Sequence, residues 1–193
     1  MNSPIENLKK YIKRAYESTS DQLATNIIRG HLRSISTDIE DGIAIFMSEI
    51  LPSEYKILLD PSIHIGRKNN RPDLLIIDNK NIVKAMIEIK ANMGWCRDAT
   101  AVINDIVQNN TKFSNQGVLN CEFSTQEDVK VAYNNDVKLF LVSLTDGNCP
   151  ADKHQKNKEY ASQNGVHQFN LFTGWYNSLE DLEIQDLINS LLK

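Results

Sequence analysis

The chain has 193 residues, 41% of them apolar, which is enough for one ordinary domain with a real buried core and excludes a largely disordered chain. Its 21 Lys and Arg against 25 Asp and Glu leave a net charge of −4, which excludes a protein that coats nucleic acid by bulk charge but not one with a local basic groove. No apolar run approaches a membrane span and no apolar signal region follows the polar amino terminus, so a soluble, cytoplasmic protein is expected.

Ser3-Pro4-Ile5-Glu6 is a helix start, with Ser3 as N-cap, Pro4 at the first position and Glu6 closing a capping box. Ile5, Leu8, Ile12 and Ala15 follow as one apolar stripe, with Lys9, Lys10, Lys13 and Arg14 on the solvated faces. A second helix is expected from about Ser20 or Asp21, with Leu23, Ile27 and Leu32 inward. A third starts near Ser36-Thr37-Asp38 and runs to Leu51, where Pro52 stops it.

Tyr55 to Leu59 and Ile63 to Ile65 read as one strand or two, with Pro61 marking a break, and residues 66–70 read as a turn. Then come Arg71-Pro72-Asp73, the apolar run Leu74 to Ile77, the polar turn Asp78-Asn79-Lys80-Asn81, and a second apolar run from Ile82 that ends on Glu88-Ile89-Lys90. This predicts a β-hairpin with apolar residues on both faces, hence a central position between two layers. A four-residue turn sets Ile77 opposite Ile82 and Asp73 opposite Met86. Asp73, Glu88 and Lys90 then share a face, with Asp73 and Glu88 as diagonal neighbours roughly 7–8 Å apart. An odd register would separate them. Two carboxylates and an ammonium so placed can hold a divalent metal beside a water molecule.

After Gly94 the period changes, and Ala99, Val102, Ile103, Ile106 and Val107 mark a helix. Residues 114–135 read as loop or short elements, Val137 to Leu144 as a continuous apolar strand, Lys153 to Gln163 as a polar helix or lid, and Val166 to Phe172 as a further strand. Ser178 is expected to cap a last amphipathic helix carrying Leu179, Leu182, Leu187, Ile188 and Leu191. Helices, three strands, helix, strand, helix, strand, helix describe an α/β sandwich around a mixed sheet. No repeat or linker divides the chain. It is expected to be one domain, with amino-terminal helices over 1–35, a catalytic core over 36–145 and a carboxy-terminal strand and helices over 146–193.

Helix–three strands–helix–strand, with Pro-Asp on the second strand and Glu-x-Lys on the third, resembles the PD-(D/E)xK nuclease superfamily, which includes many type II restriction endonucleases. The resemblance covers roughly residues 36–145 and rests on a short motif in its context. It implies a restriction endonuclease-like sandwich and a metal-dependent DNA endonuclease, with a restriction-type enzyme as the leading form. A structure-specific repair or mobile-element nuclease and a non-catalytic nucleic-acid-binding module are the alternatives. Asp73, Glu88 and the Ile89 carbonyl would then ligate Mg²⁺ (or Mn²⁺ in its place), and Lys90 would orient the attacking water. The resemblance also implies an acid on the preceding helix. Glu40 fits best, with Asp41 and Asp38 as rivals, and it could support a second metal. A homodimer on DNA follows by analogy, because cutting both strands calls for two sites.

Around this core, Arg67, Lys68 and Arg71 are candidates for DNA phosphates, against a charged hairpin turn as the plain alternative. Trp95 and Arg97 directly follow the active strand and are further DNA-contact candidates, although Trp95 serves equally well as a core plug. Gln108 falls where some exonuclease-like relatives carry a functional Gln. The aromatic that accompanies it there is replaced by Lys112, with Phe113 next, which speaks against an exonuclease. His64, His154 and His167 show no ligand spacing. Cys96, Cys121 and Cys149 form no CxxC pair and read as free thiols.

Overall fold

The computed structural model describes residues 3–21, 35–95, 98–124, 126–145 and 149–192, with the side chains of 18–21 and 95 outside that description. Helix α1 (Pro4–Asp21) begins as its cap predicts, the Glu6 N–H donating to Ser3 Oγ at 3.3 Å. It lies antiparallel to α2 (Ser36–Ile50): Asn7 bonds Glu49 at one end, and Tyr11 lies 3.4 Å from where a Cβ on Gly42 would stand. α1 runs on through Ser20 to Asp21, so no second helix begins there, and the rest of that expected helix lies outside the described residues.

A six-stranded mixed sheet forms the centre. Its strands are β1 (Lys56–Leu59), β4 (Leu74–Ile77), β5 (Val83–Asn92), β8 (Lys138–Thr145), β9 (Val166–Thr173) and β10 (Glu180–Asp181), in that spatial order. β5, β8 and β9 are parallel, and the other pairings are antiparallel. A second, antiparallel sheet has the order β3 (Lys68–Asn70), β2 (Ser62–Ile65), β6 (Val118–Glu122), β7 (Val129–Ala132). Met93–Trp95 form one 3-10 turn after β5, and α3 (Ala99–Gln116), α4 (Ala151–Gln163) and α5 (Ile184–Leu192) complete the chain.

Period-two alternation sends the two faces of the central sheet into separate cores. Ala85, Ile87, Ile89, Phe140 and Val142 pack with α1, α2 and α5, while Met86, Leu139 and Leu141 pack with α3 and the second sheet. All four residues of β4 are buried, as a doubly covered strand requires. The carboxyl ends of β5, β8 and β9 therefore reach one edge of the sheet together, and that edge carries Glu88 and Lys90.

Residues 114–135 do hold short elements, the strands β6 and β7, which build half of the second sheet. Two expectations need correction. Residues 66–70 are not all turn: Gly66 and Arg67 turn, and Lys68 to Asn70 pair with β2. Ser178 caps no helix. Glu180 and Asp181 pair with β9 instead, Leu182 is left exposed, and α5 starts only at Ile184.

Candidate active site

The hairpin that carries the motif is set by its turn. Asp78 Oδ1 accepts from the N–H of Lys80 and of Ile82, both at 2.9 Å, and Asn81 takes the left-handed conformation (φ +58°) that Asn tolerates well. Ile77 pairs with Val83, so the turn holds five residues, not four. Continued without a break, that register would set Asp73 opposite Ile87 and turn it away from Glu88. A β-bulge prevents this. Lys84 is the extra residue between the pairs Ile77–Val83 and Ile76–Ala85, and beyond it Leu75 faces Met86 and Leu74 faces Ile87. One further step places Asp73 opposite Glu88. The expected pairing of Asp73 with Met86 is thus off by two residues. Two one-residue shifts cancel in parity and return both carboxylates to one face.

Asp73, Glu88 and Lys90 are brought together around the main chain of Ile89. The Ile89 N–H donates to Asp73 Oδ2 at 2.6 Å. Lys90 Nζ lies 2.6 Å from Glu88 Oε1 and 3.1 Å from the Ile89 carbonyl oxygen. Burial, and next the Glu88 carboxylate, push the Asp73 carboxyl up to about 7, against the pull of the Ile89 N–H and of Lys90.

Glu40, in the first turns of α2, stands in the same field. Burial raises its carboxyl first, then Asp60; Glu88 adds to this and Lys90 opposes it. Its rival Asp41 is raised by burial and by Asp38, and both of those acids line a separate recess of about 260 Å³ with Tyr11, Arg14 and Ala15. Glu40 is therefore the member of the trio that faces the hairpin acids.

A residue the sequence did not single out completes the rim. Asp60, after β1, has φ +48°, and its N–H donates to the Asp73 carbonyl at 2.8 Å. Its carboxylate holds the Arg71 guanidinium through a two-pronged contact, from Nε at 3.0 Å and from Nη2. The only sequence signal was an acid beside Pro61 at a strand end. Of the other basic candidates, Arg67 and Lys68 are exposed at the β2–β3 turn, whereas the Trp95 side chain and Arg97 lie outside the described residues. Gln108 is an exposed residue of α3.

The donor set suits a hard cation. Asp73, Glu88 and the Ile89 carbonyl offer oxygen only, and the Lys90 ammonium already spans two of these donors. Among the described residues no three His, Cys, Asp or Glu side chains are gathered to hold a metal ion. What the hairpin offers is two carboxylates and a carbonyl, which leaves positions for water, as Mg²⁺ prefers. A larger groove of about 790 Å³, lined by Lys56, Ile77, Asn81, Asn120 and Lys130 among others, opens at the turn end of β4. It is remote from these carboxylates, which gather at the opposite end of that strand.

No family model matches the sequence, and no curated protein matches it. Among solved structures, the chain is similar to NucC of P. aeruginosa ATCC27853 in its cAAA-bound form, with a TM-score of 0.53 and 10% identity over 100% of this chain and 91% of that one. A likeness at that identity speaks for the fold alone. It agrees with the expected α/β fold class, a central mixed sheet flanked by helices. No helix among the described residues is long and apolar enough to cross a membrane.

Proposed function

We propose that this chain is a cytoplasmic, Mg²⁺-dependent DNA endonuclease that hydrolyses phosphodiester bonds. The observation that carries the reading is the meeting of Asp73, Glu88 and Lys90 around Ile89, at the carboxyl edge of a sheet whose fold is similar to that of NucC. Asp73, Glu88 and the Ile89 carbonyl would hold the metal, and Mn²⁺ fits the same oxygen donors. Bound there, the metal supplies Lewis acidity and a water of lowered pKa. The Ile89 N–H keeps one oxygen of Asp73 in place and leaves the other for the cation. Lys90 orients the attacking water and, as a cation, offsets the charge that develops on the phosphorane oxygens. Glu40 adds negative charge on the α2 side, where it would support a second cation.

A restriction-type enzyme that cuts both strands as a homodimer is the form we favour. Incubation of supercoiled plasmid with the protein and Mg²⁺ is the test. Nicking by the wild type, abolished in Asp73→Ala and in Lys90→Ala, is the expected result. A wild type that does not nick, or variants that nick as well as it does, would sink the reading and leave a non-catalytic binding module. Plain duplex run against branched or mismatched DNA separates the restriction form from a structure-specific repair or mobile-element nuclease, and light scattering of the free protein reads the dimer.

A further inference from the structure

We propose that Asp60 stands in for a DNA phosphate, holding the Arg71 guanidinium at the rim of the site until a phosphodiester displaces it; this rests on the nuclease reading above. The place of the pair comes first. Arg71 is two residues before Asp73, and the Asp60 N–H is bonded to the Asp73 carbonyl at 2.8 Å, so the pair is tied to the main chain of the hairpin acid. The contact geometry comes second. Nε donates to Oδ1 at 3.0 Å and Nη2 donates to Oδ2, which is the fork a guanidinium also presents to two phosphate oxygens.

The strength of the pair permits exchange. The two side chains are 57% and 45% exposed, and ion pairs that open to water contribute little to stability. A DNA phosphate offers the same fork in a field of many charges, with counterion release added. Asp60 also sits in the left-handed region, at φ +48°, which Asp and Asn adopt more readily than other side chains.

The test is a double-mutant cycle on the full chain, read by anisotropy of a labelled duplex with Ca²⁺ in place of Mg²⁺. Asp60→Asn keeps the backbone conformation, because Asn tolerates positive φ, and removes the competing charge. It is expected to tighten DNA binding about three- to fivefold at low salt, the scale of one exposed ion pair. Arg71→Ala is expected to weaken binding and to flatten the salt dependence by about 0.9 in log–log slope, one phosphate contact. The decisive result is the double variant. With Arg71 already removed, Asp60→Asn changes nothing. An equal tightening in the Arg71→Ala background means that Asp60 merely repels DNA, and it overturns the proposal, as does an Asp60→Asn single variant that binds like the wild type. Asp60→Gly, which also accepts this φ, repeats the cycle should the Asn variant melt early. A chain that binds DNA with additive effects loses this inference alone, whereas a chain that binds no duplex loses the nuclease reading as well.

Discussion

The N–H of Ile89 donates a 2.6 Å hydrogen bond to Asp73 Oδ2, which ties β5 to the residue just before β4 at the point where the two carboxylates meet. That single bond fixes the orientation of Asp73 and opposes the burial that raises its carboxyl. It is also the link through which the hairpin register reaches the chemistry, since a register shifted by one residue would take Asp73 off this N–H.

The raised Asp73 carboxyl predicts a pH-dependent stability. Its folded value, about 7, lies above the ordinary 3.8, so the protonated form is favoured in the folded state. The associated stability is full below about pH 4 and is lost as pH rises through about 7. Asp73→Asn, which cannot ionise, should melt with the wild type at low pH and above it at neutral to alkaline pH. Thermal melts across that range without divalent metal check this, and a gap between the two proteins that does not change with pH would contradict it.

The same carboxyl must lose its proton to bind a cation. Ca²⁺ affinity should therefore fall about tenfold per pH unit below about 7, with release of a proton on binding. Calorimetry in buffers of different ionisation enthalpy measures both. Asp73→Asn should remove the pH dependence together with most of the affinity.

Lys90→Met separates chemistry from cation binding. The ammonium touches Glu88 Oε1 and the Ile89 carbonyl, two of the oxygens assigned to the metal. Its loss should cut plasmid cleavage by a factor on the order of 100 or more and should tighten Ca²⁺ binding a few-fold, because a competing cation is gone. A variant that no longer binds Ca²⁺ would show instead that Lys90 holds the local structure.

Glu40→Gln tests the α2 side. Cleavage should fall by about tenfold or more and should recover in part at high Mg²⁺, as expected of a residue that adds negative charge near the cation. The same loss at every Mg²⁺ concentration would assign Glu40 a different part. Asp41→Asn is the control, since Asp41 lines the separate recess with Tyr11 and Arg14.

The Asp78 turn should affect stability without affecting the site. Asp78→Ala removes acceptors for the N–H groups of Lys80 and Ile82 and the ion pair with Lys84, and should lower the melting temperature by about 2–6 °C. Asp73 lies roughly 15 Å further along the hairpin at strand rise, so cleavage measured well below the melting point should persist. Its loss would show that the turn governs the register as far as Asp73.

Local patterns were legible in the chain because their causes are local. The Ser3 cap, the Leu8–Ile12–Ala15 stripe and the stop at Pro52 each depend on residues within a turn or two. The apolar strand at 138–145 and the adjacency of the two hairpin strands follow from period and turn composition. β6 and β7 could be read only as unspecified short elements because they are short and half exposed, and β10 escaped notice because two residues carry no period. The capacity of Glu40, over Asp41 or Asp38, to face the hairpin depends on how α2 packs, which helix-start acids do not encode.

By itself the sequence determined that Asp73 leads into one strand of a doubly covered hairpin and that Glu88 and Lys90 lie on its neighbour, because alternation and apolar runs are properties of consecutive residues. Only the tertiary structure decided the register, the face and the rim. The five-residue turn and the bulge at Lys84 offset each other only once the strands are paired. The Asp60–Arg71 contact joins residues eleven positions apart, one in each of two successive connections between the two sheets. Contacts of that kind form when packing brings distant segments together, and no local period records them.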